Sequence, residues 1–123
     1  MKKFLMLICT LVFTISLTAC DTDFDGSRTG NDREYVMEYK VLNTTDAQEL
    51  TVKSGDTISA KVVSKKGSLS IKIQKEGKKP IYESDGISVS NEFEVEIDEG
   101  GVYTVEITGK RAKGSISFVV KSK

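Results

Sequence analysis

From residue 34 onward, hydrophobic and polar residues alternate along the chain with a period of two. In the first such segment Tyr35, Met37, Tyr39 and Val41 fall on one face. This alternation is typical of strands in antiparallel sheets, where one face is buried and the other is solvated. The inward residues predicted for five further segments are Ile58, Ala60 and Val62; Leu69, Ile71 and Ile73; Phe93, Val95 and Ile97; Tyr103, Val105 and Ile107; and Ile116, Phe118 and Val120.

Glycine-containing breaks separate these segments at regular intervals. The breaks fall at 54–56, 66–67, 76–78, 85–86, 99–101 and 109–114. Short strands with a turn signal every ~8–12 residues are typical of sandwiches and barrels. Pro80 stands at the start of a short edge strand predicted over 79–83, a position where proline is tolerated. Residues 43–50 lack the alternation and are predicted to form a loop or a short helical turn.

One local motif bears on the topology. Glu99-Gly100-Gly101-Val102-Tyr103 resembles the tyrosine corner of Greek-key sandwiches, in which the tyrosine hydroxyl bonds back to nearby backbone. Residues 56–121 thereby resemble the immunoglobulin-like, GOLD-like and pre-peptidase C-terminal-like sandwiches, although Val105 stands where true immunoglobulin domains have a cysteine. The resemblance implies an all-β, single antiparallel sandwich with an immunoglobulin-like Greek key over 34–123. It also implies a binding or spacer module of exported proteins, with no catalytic residues to carry over.

The first twenty residues have the composition of an export signal. Lys2 and Lys3 precede an apolar stretch over 4–17, which is shorter than the ~20 residues of a membrane span. The segment ends in Leu17-Thr18-Ala19-Cys20, which resembles a bacterial lipobox. The resemblance implies removal of a signal peptide over 1–19 and a palmitate-type lipid on Cys20. The protein would then be extracytoplasmic and anchored to the bacterial cell membrane. The alternative is an ordinary secretory signal in which Cys20 falls there by chance.

The composition leaves little material for catalysis. The chain has no His, and its two cysteines are Cys9 in the signal segment and Cys20 at the lipobox. No Ser-His or Cys-His pair is therefore available in the folded part, and we expect no enzyme. Removal of Lys2 and Lys3 leaves 16 basic residues against 18 acidic ones. This balance argues against a nucleic-acid partner, which requires a basic excess.

The segment after the lipobox is rich in acidic and small residues. Asp21, Asp23, Asp25 and Asp32, with Gly26 at the sixth position, match the pattern D-x-D-x-D-G with an acid at position twelve. This resembles the calcium loops of EF-hand and dockerin-type proteins, which implies a calcium ion over 21–32. The same composition is typical of a solvated linker. Residues 20–33 are therefore predicted to be the lipidated cysteine and an acidic tether, with bound calcium as the alternative.

A candidate contact site lies in the predicted edge strand. Because Ile81 and Tyr82 are adjacent, one of them must point outward from a strand. Tyr82, preceded by Lys78 and Lys79, is the predicted contact residue; the alternative is a tyrosine packed beneath a loop. The predicted function is non-catalytic binding of a protein partner, as an accessory or immunity-type lipoprotein. The alternative is a module that binds carbohydrate or cell-wall glycan. No cofactor other than calcium is expected.

Overall fold

The computed structural model describes residues 22–123, which fold as seven antiparallel strands. Their bounds are β1 Phe24–Gly30, β2 Glu34–Leu42, β3 Thr45–Val52, β4 Thr57–Lys75, β5 Pro80–Ile87, β6 Asn91–Glu96 and β7 Gly101–Lys121. Within 22–123 no helix is long and apolar enough to cross a membrane. The predicted signal peptide, Cys20 and Asp21 lie outside the described residues.

The long strands β4 and β7 are shared by two layers. The first half of β4 pairs with the second half of β7, from Ile58 opposite Val120 to Ser64 opposite Gly114. The two remaining halves pair from Ser68 to Lys75 on β4. Strands β1, β2 and β6 flank the first pair of halves, whereas β3 and β5 flank the second. The result is a five-stranded layer over a four-stranded layer, which confirms the predicted all-β antiparallel sandwich.

Both long strands turn from one layer to the other without losing their pairing. The register shifts on each side of Lys66. At this bend Gly67 has a φ of 69°, and a Cβ there would collide with the carbonyl oxygen of Arg111. A Cβ on Gly114, where φ is 149°, would collide with the carbonyl oxygen of Val63. The breaks predicted at 66–67 and 109–114 are therefore bends within continuous strands, and glycine permits them because no side chain fits.

The core follows the predicted alternation closely. The inward residues predicted on β4 and β7 are all buried, and Phe93 and Val95 on β6 are half-buried and pack against them. One departure occurs on β2, where the register shifts between Tyr39 and Leu42. This bulge turns Leu42 into the core in place of Val41. Burial raises the pKa of Tyr39 to about 12.

Two segments were predicted to lack strand structure and have it. Residues 45–52 form β3, paired with β7 along its whole length. Its inward positions include the polar Asp46 and Gln48, which conceal the alternation. Residues 24–30 form β1, which pairs with β2 and is exposed throughout. Strand structure therefore begins at residue 24, inside the segment 20–33 that was predicted to be an acidic tether.

Candidate interaction surface

The two layers meet at an open seam between the edge strands β5 and β6. Tyr82 lies opposite the buried Ile73 in the β4–β5 register, so its side chain points inward. Its ring stacks on Phe93 with centroids 4.2 Å apart and planes inclined by 14°. Ile81, the adjacent residue, points outward and is 43% exposed. The outward residue of this pair is therefore Ile81, whereas Tyr82, the predicted contact residue, is half-buried against Phe93, in line with the alternative of a packed tyrosine.

A cleft of about 420 Å³ opens at one end of this seam. Its apolar lining consists of Ile81, Val95, Ile97 and Tyr103. Its charged lining consists of Lys75, Lys78, Glu96, Asp98 and Glu99. Of the two lysines predicted as contact residues, Lys78 lines the cleft, whereas Lys79 is exposed in the same turn but does not line it.

Hydrogen bonds fix the charged rim of the cleft. The Lys75 ammonium donates to Glu99 Oε1 at 2.7 Å and to the Gly100 carbonyl at 2.9 Å. The Tyr103 hydroxyl donates to the Glu99 carbonyl at 2.5 Å, which confirms the predicted tyrosine corner. The hydrogen bond from Lys75, together with the positive charges of Lys75 and Lys78, lowers the pKa of Glu99. The rim therefore carries a fixed pattern of opposite charges.

The neighbouring turns are joined to the same rim. The Ser54 hydroxyl donates to the Asp98 carbonyl at 2.8 Å. Asp56, only 4% exposed, accepts a hydrogen bond from the Lys53 amide at 2.9 Å and lies 3.8 Å from the Arg33 guanidinium. A buried carboxylate with both a donor and a counter-charge is stable where an unpaired one is not. These contacts fix the position of the turns around the cleft.

The opposite side of the sandwich is closed by a polar cluster. Arg28 on β1 donates to Asp46 on β3 at 2.7 Å, and the Tyr35 hydroxyl on β2 donates to the same carboxylate at 2.5 Å. Arg28 also lies over the Tyr35 ring, 5.0 Å from its centroid. Burial, and then the hydrogen bond to Asp46, raise the pKa of Tyr35. The cluster joins three strands, and we interpret it as a structural cross-link. The sequence did not predict it because Arg28 was placed in a tether.

The carboxylates of the predicted calcium loop are not brought together. Asp25 begins β1 opposite Val41, and the strand then runs extended to Gly30 opposite Tyr35. At ~3.3 Å per residue this separates Asp25 from Asp32 by the length of a strand, whereas a calcium loop needs its oxygens around one point. Within 22–123 no group of three or more His, Cys, Asp or Glu side chains is placed to hold a metal. Asp21 lies outside the described part of the chain.

Comparisons with known proteins give structural similarities alone. No protein-family model matches the sequence, and no curated protein matches it. Among solved structures, PliG of Aeromonas hydrophila, a periplasmic inhibitor of g-type lysozyme, is 12% identical with a TM-score of 0.49, over 83% of this chain and 91% of that one. A carbohydrate-binding module of Cellvibrio mixtus lichenase 5A is 13% identical with a TM-score of 0.45, over 85% and 91%. At such identities and TM-scores, the similarities do not indicate what this chain binds.

Proposed function

We propose that this protein is a lipid-anchored lipoprotein of the bacterial cell surface that binds a protein partner without catalysis. The anchoring part rests on the sequence of residues 1–20, with Lys2 and Lys3, the apolar stretch and Cys20 at the lipobox. The binding part rests on the cleft between β5 and β6. Calcium in the 21–32 segment forms no part of the proposal.

The observation that carries the binding role is the exposed Ile81 in a cleft with a charged rim. An apolar centre surrounded by polar groups is the usual anatomy of a protein interface, in which one buried side chain supplies much of the affinity. Lys75 and Glu99 are already paired, so a partner meets a rim that needs little reordering. We expect a partner to insert one apolar side chain beside Ile81 and to place polar groups against Lys78.

Protein is favoured over glycan because of where the aromatic rings lie. Within 22–123, Phe24 is the one exposed aromatic side chain, at 37%. Tyr82, the candidate sugar platform, lies against Phe93. A sugar-binding face that relied on ring stacking would need an aromatic face turned toward solvent, and the cleft offers aliphatic side chains instead.

Site-specific photocrosslinking on intact cells tests the cleft. A photoreactive amino acid replaces Ile81 in the full chain, and the matched control replaces Val102, an aliphatic residue of similar exposure (45%) on the outer face of the four-stranded layer. We expect a discrete protein adduct from position 81 and none from 102. The captured protein, once purified, should bind the wild type and lose at least about tenfold in affinity with Ile81→Asp but not with Val102→Asp. Equal labelling at both positions, or equal affinity of both variants, would refute the cleft as the binding site.

Substitution of Cys20 tests the anchor. Cys20→Ser removes the sulfur that would carry the lipid, so the protein is expected to leave the membrane fraction for the medium or periplasm. Retention of the variant in the membrane at the wild-type level would contradict a lipid anchor. Because the two experiments read different properties, failure of the anchor leaves the result at the cleft intact.

A further inference from the structure

The end of the sandwich that lies away from the cleft carries a cluster of cations, here called the basic corner. Its members come from the bends of the two long strands and are Lys65, Lys66, Lys110, Arg111 and Lys113. All five are exposed. The segments 64–69 and 109–115 contain no acidic residue. Within 22–123 none of the five forms an ion pair with a carboxylate.

Repulsion between the cations of the basic corner destabilises the domain when no anion is bound there. Lys66 lies directly opposite Lys113 in the β4–β7 pairing. Like charges directly opposite one another on neighbouring strands destabilise a sheet. An external anion placed against the corner would offset this repulsion.

The described chain begins at the same end. Phe24 pairs with Leu42, and Leu42 pairs with Ala112, within the bend that carries the basic residues. The Asn43 amide donates to the Asp23 carbonyl at 2.7 Å, and the Asn43 side chain accepts from the Arg111 amide at 3.0 Å. Three residue steps separate Asp23 from Cys20, a covalent reach of at most about 11 Å. A lipid on Cys20 would therefore keep the basic corner close to the bilayer surface.

Apolar side chains accompany the cations at this end. The Ser64 amide donates to the Ser90 hydroxyl at 3.0 Å, which fixes the β5–β6 loop beside the bend. Val89 in that loop is 73% exposed, and Phe24 at the start of β1 is 37% exposed. Basic groups beside exposed apolar side chains are the combination that binds membrane interfaces. Asp23 and Asp25 flank the corner on the N-terminal side, and Glu38 and Lys40 line one cavity with Lys65 and Lys113. The local balance is therefore six cations against three acids.

We propose that the basic corner docks on the anionic lipid headgroups of the membrane in which the protein is anchored, with Val89 entering the interface. This proposal rests on the lipid anchor of the proposed function. The covalent reach from Cys20 to Asp23 is comparable to the Debye length of about 8 Å at physiological salt, so attraction between the lysines of the corner and anionic headgroups is only partly screened. Docking by this end turns the β5–β6 cleft away from the bilayer, which leaves it accessible to a partner.

Vesicle experiments with the full lipidated chain test the docking. Because the sequence contains no Trp, Val89→Trp introduces a single reporter at the corner, and Val102→Trp is the matched reporter on the outer face of the four-stranded layer. Each variant is reconstituted in vesicles of phosphatidylcholine with or without phosphatidylglycerol. We expect the emission of the Val89→Trp variant to shift to the blue with phosphatidylglycerol, and high salt to reverse the shift. The emission of the Val102→Trp variant should not change.

A charge variant with its own control completes the test. Lys65→Gln, Lys66→Gln and Lys113→Gln together should weaken docking by about fivefold for each lysine removed. Lys53→Gln, Lys121→Gln and Lys123→Gln remove the same charge at the other end and should leave docking unchanged. Equal emission of the Val89→Trp variant on both kinds of vesicle, or equal loss with both triple variants, would overturn the proposal. Flotation with phosphatidylcholine alone reports the anchor separately. If the protein does not float with phosphatidylcholine vesicles, the lipid anchor is absent. Flotation of the wild type with vesicles that contain phosphatidylglycerol then still tests whether the basic corner binds anionic headgroups.

Discussion

Tyr82 and Phe93 stack face to face across the seam between the two layers, with their ring centroids 4.2 Å apart. Strand β5 belongs to one layer and β6 to the other, and each pairs with β4 rather than with its neighbour across the seam. Phe93 in turn meets the edge of the buried Phe118 at 6.5 Å. A line of three rings therefore ties the outer edges of both layers to the core, and it supports the side of the sandwich on which the cleft opens.

Removal of the Tyr82 ring should lower the free energy of unfolding substantially. Tyr82→Ala takes away a half-buried aromatic ring and its stacking contact with Phe93, and we expect a loss of about 2–3 kcal/mol. Tyr82→Phe keeps the stack and is expected to stay within about 0.5 kcal/mol of the wild type. Urea titration of both variants measures the difference. Equal midpoints for Ala and Phe would mean that the stack contributes nothing to the seam.

The ion pair between Lys75 and Glu99 predicts a dependence of stability on acid pH. The pKa of Glu99 is lowered below its usual 4.5 in the folded state, so the pair stabilises the fold fully above that value. Its contribution disappears as the pH falls through the lower folded pKa. Glu99→Gln should therefore be less stable than the wild type at neutral pH, and the two should converge in strong acid. Glu94→Gln, which removes a charge on β6, is the matched control. A constant gap between wild type and Glu99→Gln across this range would contradict the assignment.

The strands that the sequence predicted correctly are those with one buried face and one solvent-exposed face. On β6 and on each half of β4 and β7 the inward residues are Val, Ile, Leu, Ala, Phe and Tyr, and the period of two holds up to the bend. Strand β3 was missed because Asp46 and Gln48 point inward to bind Arg28. Strand β1 was missed because neither of its faces is buried.

The candidate site was only partly predictable, for a related reason. Adjacency alone required either Ile81 or Tyr82 to face outward, but the β4–β5 register decides which, and register depends on the bulges between Leu69 and Ile71 and between Ile73 and Gln74. Lys78 was predicted from its place beside the edge strand and does line the cleft. Glu99 and Ile97 join it only because β6 folds against β5 from the other layer, a contact between segments that no local pattern encodes.

Substitution of Gly114 should lower the free energy of unfolding far more than substitution of a glycine whose Cβ position is unobstructed. Gly114→Ala places a methyl group against the Val63 carbonyl at a φ of 149°, and we expect a loss of about 3 kcal/mol or more. Gly86→Ala is the control, since its φ of 64° is also positive but nothing lies within 4 Å of the added Cβ. The control should lose only about 1 kcal/mol. Similar losses at both sites, measured by thermal unfolding, would show that β7 can bend without the close approach.

Reversal of one charge in the basic corner should separate stability from membrane docking. Lys66→Glu replaces a like-charged pair with an opposite pair facing Lys113, so the free energy of unfolding should rise by about 0.5 kcal/mol. Lys61→Glu is the opposite control, because Lys61 already lies 3.7 Å from Glu92 and its reversal should lower stability by a similar amount. If repulsion between Lys66 and Lys113 destabilises the fold, urea titration should show a higher free energy of unfolding for Lys66→Glu and a lower one for Lys61→Glu. Lys66→Glu should at the same time weaken docking on phosphatidylglycerol vesicles. A variant that gained stability and kept its docking would mean that Lys66 does not face the headgroups, and one that lost stability would mean that the repulsion between Lys66 and Lys113 is already screened by solvent.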